Sequence, residues 1–85
     1  MQQILLQGKI RSATKHAIER LYKRYGLNMV LIDKLKYGVL EDFILVRVYS
    51  RNGEYRALYE ILDDTFIVVN EFNILVTIFS AYKSR

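Results

Sequence analysis

The chain has no cysteine, no proline and no tryptophan, and its single histidine is His16. Without cysteine it can form neither a disulfide nor a thiolate metal site, and its redox compartment leaves no mark on the sequence. One histidine with no cysteine beside it does not make a structural zinc site, so no metal and no cofactor is expected. With no proline and only four glycines, the sequence shows no linker, repeat or low-complexity segment. The longest apolar runs, such as Met29-Val30-Leu31-Ile32 and Phe66-Ile67-Val68-Val69, fall far short of the roughly 18 residues that a membrane span requires. Met1-Gln2-Gln3-Ile4-Leu5-Leu6-Gln7 places no basic segment before a long apolar one, which argues against a signal peptide. The expectation is a cytoplasmic protein with no membrane partner.

What is present points to one domain spanning residues 1–85, with 52% apolar residues to build its core. A chain of this size buries about 60–65% of its unfolded surface, so that one core carries nearly all the stabilisation. Thirteen Lys and Arg against nine Asp and Glu give a net charge of +4. That balance favours an acidic partner, of which nucleic acid is the commonest.

Residues 4–6 fit a short strand ending at Gly8. Ser12 is a suitable N-cap, and Ala13, Ala17, Ile18, Leu21, Tyr22 and Tyr25 recur at helical spacing, predicting a helix over residues 13–25 closed by Gly26. Asn28 can cap a second helix through Met29, Ile32 and Leu35 to Gly38. The apolar residues of 29–37 fit a strand almost as well. From Phe43 onward the period becomes two. Residues 43–50 and 55–62 flank Asn52-Gly53, the favoured pair for a two-residue hairpin turn, so residues whose numbers sum to 105 should face each other. Asp63-Asp64 turns into residues 65–70, and residues 71–73 turn into 74–80. The fold class read from this pattern is α+β, with one or two helices on a four-stranded antiparallel meander.

On the simplest register, Ile44, Val46, Val48, Ala57, Tyr59, Ile61, Phe66, Val68, Leu75, Thr77 and Phe79 share the face under the helix. The other face then carries Phe43, Leu45, Arg47, Tyr49, Arg56, Leu58, Glu60, Leu62, Ile67, Val69, Ile74, Val76 and Ile78. Helices can cover only one of these faces. The second would leave a large apolar patch, so a homodimer or a protein partner on that sheet face is expected, centred on Leu45, Leu58, Ile67, Val69 and Val76.

The helix reads Thr14-Lys15-His16-Ala17-Ile18-Glu19-Arg20-Leu21-Tyr22-Lys23-Arg24-Tyr25-Gly26. His16, Arg20 and Lys23 lie at i, i+4 and i+7 and so line one side. With Val76-Thr77-Ile78 in the last strand and Gly53-Glu54-Tyr55-Arg56-Ala57-Leu58-Tyr59-Glu60-Ile61 in the middle, this order resembles the small RNase-like domains of the barnase, EndoU, colicin and RelE superfamily. The short phage- and plasmid-type members look most similar. The resemblance implies a RelE- or barnase-like fold and an RNase-like toxin or viral effector that cleaves RNA without metal. The alternative is a non-catalytic dimer that binds a host protein or nucleic acid through its sheet face. The chain departs from RelE toxins in lacking the glycine-basic-arginine segment after the last strand.

Two sites compete. In the first, His16 would move a proton at the ribose 2′-hydroxyl or the leaving oxygen, Arg20 would stabilise phosphate charge, and Thr77 would hold a non-bridging oxygen. The resemblance places the matching histidine and threonine in the active site, and Lys15, Lys23 and Arg24 would add phosphate contacts. The plain alternative is a solvated helix face with Glu19 paired to Lys15 or Lys23. In the second site, Arg47, Tyr49 and Arg56 would bind phosphate and stack a base. There the alternative is a diagonal Arg47–Glu60 ion pair with Tyr49 packed along Arg56. The register puts the two sites on opposite faces. Lys83 and Arg85 could steer a polyanion.

Overall fold

Two polar side chains begin the helices. In this computed structural model, which describes residues 7–80, Thr14 is the N-cap of α1 (Lys15–Tyr25) and its hydroxyl accepts the Ala17 amide at 3.0 Å. Gly26 closes the helix at φ 59°, a left-handed backbone that a glycine enters without penalty. Asn28 caps α2 (Met29–Tyr37), where its side-chain oxygen accepts the Leu31 amide at 3.1 Å. The open question over residues 29–37 is therefore resolved as helix. Its buried residues are Leu31 and Leu35, not Met29. The expected N-cap at Ser12 is corrected to Thr14, because Ser12–Ala13 are drawn off as a short strand, β1.

A single turn of 3-10 helix, Leu40–Asp42, leads into β2 (Ile44–Arg51), β3 (Glu54–Leu62), β4 (Thr65–Asn70) and β5 (Ile74–Ser80). Each of the three later turns carries a left-handed residue: Asn52 and Gly53 at φ 53° and 79°, Asp64 at 60° and Asn73 at 62°. These are residue types that tolerate that region. Pairs β2–β3, β3–β4 and β4–β5 are antiparallel, and β1 adds to β5 in parallel, giving the order β1-β5-β4-β3-β2. The expectation of a four-stranded antiparallel sheet is thus corrected to a five-stranded mixed one. The expected strand at residues 4–6, and Lys83 and Arg85, lie outside the described residues.

The hairpin register holds from Arg47 to Arg51, with Tyr49 opposite Arg56 and Val48 opposite Ala57. It then slips at Val46, and two further slips fall at Ile61 and Val76. Each inserts one unpaired residue and so exchanges the two faces beyond it. The result differs from the simple register. Ala57, Tyr59 and Ile61 share the helix-covered face with Ile67, Val69, Leu75 and Ile78, and with Ala17, Leu31, Leu35 and Leu40 they form the core. Arg47, Leu58, Val68 and Thr77 form one row across the opposite, outer face, and Glu60, Phe66 and Phe79 form another. The apolar patch expected around Leu45, Leu58, Ile67, Val69 and Val76 is consequently divided, since Ile67 and Val69 are fully buried under the helices.

Helix α1 packs along β5. The Thr14 hydroxyl, besides capping, donates to the Val76 carbonyl at 3.0 Å, and the Thr14 amide donates to the Leu75 carbonyl at 2.9 Å. A cap substitution costs about 1 kcal/mol, and the Val76 carbonyl would lose a donor as well. Thr14→Ala should therefore lower unfolding free energy by about 1–2 kcal/mol in denaturant titrations, with Thr14→Ser retaining most of it. Equal losses in the two variants would assign the effect to the methyl group instead.

Burial, and secondarily the Glu41 carboxylate, raises the Tyr59 phenol above its ordinary value of 10.0. The unfolded chain thus ionises this group first as pH rises. Stability is unaffected below about pH 10 and falls as pH climbs through the folded value. Tyr59→Phe should shift the alkaline unfolding midpoint upward; an unchanged midpoint would exclude Tyr59 as a contributor.

Candidate nucleic-acid interface

With Ala17, Leu21 and Tyr25 turned to the core, helical geometry sends Lys15, His16, Glu19, Lys23 and Arg24 outward, and all five are exposed. His16, Glu19, Arg20, Lys23 and Arg24 line a shallow depression of about 260 Å³. Lys23 and Arg24 in the last turn also complement the negative end of the helix dipole. Among the described residues Glu19 pairs with neither Lys15 nor Lys23, for the one ion pair there joins Arg56 to Glu54 at 3.0 Å. Among the described residues the cations of this helix face therefore have no ion-pair partner, with one carboxylate among them.

Arg20 differs from its neighbours. It is partly buried, and its Nε donates to the Ile78 carbonyl at 3.0 Å. That bond holds the guanidinium plane at the margin of the depression. It also satisfies a carbonyl on the part of β5 that β1 does not reach, since β1 pairs only with Ile74 and Leu75.

His16 and Arg20 are brought together as expected, but Thr77 is not placed on their face. The slip at Val76 sets Thr77 opposite Val68 on the outer face, between Ile78 and Val76 along the strand. Thr77 therefore shares a row with Arg47, not with His16, which reverses the face assigned to it from the simple register. Two sites that the simple register separates are redistributed: Thr77 joins Arg47, Tyr49 and Arg56.

On that outer face the Arg47 guanidinium carbon lies 5.2 Å from the Tyr49 ring centroid. Arg56 is engaged by Glu54, whose other oxygen accepts the Asn70 amide group at 3.1 Å. Asn70 in turn accepts the amides of Phe72 and Ile74, tying this network to the last turn. The diagonal Arg47–Glu60 pair is replaced by the Arg47–Tyr49 stack. Phe66 and Phe79 stack with centroids 5.7 Å apart and planes at 15°. With Glu54 and Glu60 set against Arg47, Arg51 and Arg56, this face carries one net positive charge.

Sequence reasoning missed Thr14 as the anchor of α1. Its signal was local: a threonine immediately before the basic helix, three residues ahead of Ala17. The described residues contain no cluster of three or more His, Asp or Glu side chains placed to hold a metal. No helix among them is long and apolar enough to cross a membrane.

If the Arg20–Ile78 bond anchors α1 to β5, Arg20→Met should destabilise the protein by about 1–2 kcal/mol in thermal or denaturant unfolding, because a partly buried carbonyl loses a charged donor. Lys23→Met, at an exposed position, should change stability by less than about 0.5 kcal/mol. Equal effects would deny Arg20 its structural role.

Compared with known proteins, the chain matches no family model, no curated protein and no solved structure.

Proposed function

We propose that the protein binds the phosphate backbone of RNA through the outward face of α1, without cleaving it. The observation that carries this reading is the row of exposed cations Lys15, Lys23 and Arg24 flanking His16, unpaired among the described residues, with the Arg20 guanidinium already held in place by the Ile78 carbonyl. A guanidinium fixed through Nε keeps its two terminal nitrogens for a phosphate and loses little side-chain freedom on binding. The net charge of +4 supports attraction at longer range.

Binding is favoured over cleavage by the same geometry. Metal-free cleavage needs a proton-transfer group and a transition-state stabiliser converging on one phosphate. His16 lies on the helix face and Thr77 on the opposite face of the sheet, so the trio of His16, Arg20 and Thr77 does not converge. RNA as the polyanion rests on that resemblance.

Fluorescence anisotropy with a labelled single-stranded RNA tests the reading. The wild type should bind at low salt, with log affinity falling linearly against log salt. The triple variant Lys15→Gln, Lys23→Gln, Arg24→Gln should flatten that slope by about 0.7 for each phosphate it no longer neutralises. The RNA should stay intact with wild type and His16→Ala alike. Absence of wild-type binding at low salt, or a slope unaltered in the triple variant, would overturn the proposal. Cleavage by wild type that His16→Ala abolishes would restore the catalytic reading.

A further inference from the structure

The two edges of the sheet are treated differently. On the β5 side, β1 pairs with Ile74 and Leu75, and Thr14 and Arg20 take the Val76 and Ile78 carbonyls. On the β2 side nothing pairs with the strand among the described residues. Every residue of β2 except Tyr49 is exposed, including Ile44 (64%), Leu45 (54%), Val46 (47%) and Val48 (46%). These side chains belong to both faces of the sheet, so the apolar surface wraps around the edge. An eight-residue edge strand of this kind presents every second amide and carbonyl as a template for another strand.

We propose that β2 pairs antiparallel with β2 of a second copy of the chain, about a twofold axis through Val48, joining two five-stranded sheets into one. The strand's own side chains are complementary to a second copy in one register only. A register centred on Arg47 would set guanidinium against guanidinium, and one centred on Tyr49 would set Arg47 against Arg51. Like charges directly opposite are unfavourable. Centring on Ser50 leaves Val46 and Leu45 in water. Centring on Val48 places Arg47 opposite Tyr49 of the second copy, twice over by symmetry. Each Arg47 already lies 5.2 Å from its own Tyr49 ring, so the outer face of the seam becomes a run of alternating guanidinium and phenol groups. On the inner face Val48 meets Val48. Val46 and Leu45 of each copy then meet Ser50 and Arg51 of the other, so the slip at Val46 falls near each end of the seam. A twofold contact of this kind is closed and uses the same surface on both copies.

The self-association expected from the sequence thus moves from the sheet face to the sheet edge. It leaves α1 free, because α1 lies along β5, at the other side of the sheet. The proposal does not depend on RNA binding, and its test contains no RNA.

Light scattering after size exclusion should give twice the 10.1-kDa chain mass, shifting toward one chain on dilution. Val48→Lys, which puts a charge on the seam, should give the single-chain mass with an unchanged far-ultraviolet circular dichroism spectrum. Because the chain has no cysteine, Val48→Cys offers a second measurement that does not rely on disruption. Under mild oxidation it should form a disulfide-linked dimer at least tenfold faster than Lys23→Cys on α1 at equal concentration. A single-chain mass for the wild type at millimolar concentration would overturn the proposal. So would Val48→Cys and Lys23→Cys cross-linking at the same rate. Should Val48→Lys unfold, the cross-linking rates decide.

Discussion

The free edge of β5 is the constraint around which this molecule is arranged. A strand edge carries carbonyls that must find donors, and β1 is only two residues long, so it covers Ile74 and Leu75 and nothing beyond. The Val76 and Ile78 carbonyls are taken instead by the Thr14 hydroxyl and the Arg20 Nε. Those two bonds pin α1 beside the strand at both its start and its middle. Once pinned, the helix can turn only one stripe inward, and Ala17, Leu21 and Tyr25 occupy it. The cations at the remaining positions face solvent. Their exposure is a consequence of how the edge is closed.

The same arrangement divides the surface by character. Among the described residues the cations of α1 have no ion-pair partner, whereas on the outer sheet face Arg56 is paired with Glu54 and Arg47 lies over the Tyr49 ring. That face carries one net positive charge against three on α1, and so offers a polyanion less long-range attraction. The edge strand β2 is a third kind of surface, with apolar side chains on both sides of a backbone edge that no described strand pairs with. The proposed anion binding and the proposed self-pairing therefore fall on separate elements.

Much of this was legible because it is local. Asn52-Gly53 marks its turn through two positive φ angles, Asn28 caps through its own side chain, and Gly26 closes α1. His16, Arg20 and Lys23 could be placed on one helix face because the 3.6-residue period needs no information from elsewhere in the chain. Thr77 could not. Its face depends on counting residues across the sheet, and a strand's period of two turns a single extra residue into a full reversal. Val46, Ile61 and Val76, where the register slips, are ordinary β-branched strand residues, with no glycine or proline nearby in the strand to announce a bulge. The parallel pairing of Ser12–Ala13 was equally silent, since two residues carry no periodicity.

On the proposed reading α1, and not the open sheet face, meets the nucleic acid. Amide chemical-shift mapping by NMR during titration with a short single-stranded RNA separates the two directly. Perturbations should concentrate on Lys15, His16, Glu19, Arg20, Lys23 and Arg24. Perturbations centred on Arg47, Tyr49, Arg56, Phe66 and Phe79 with the α1 amides unmoved would contradict that reading.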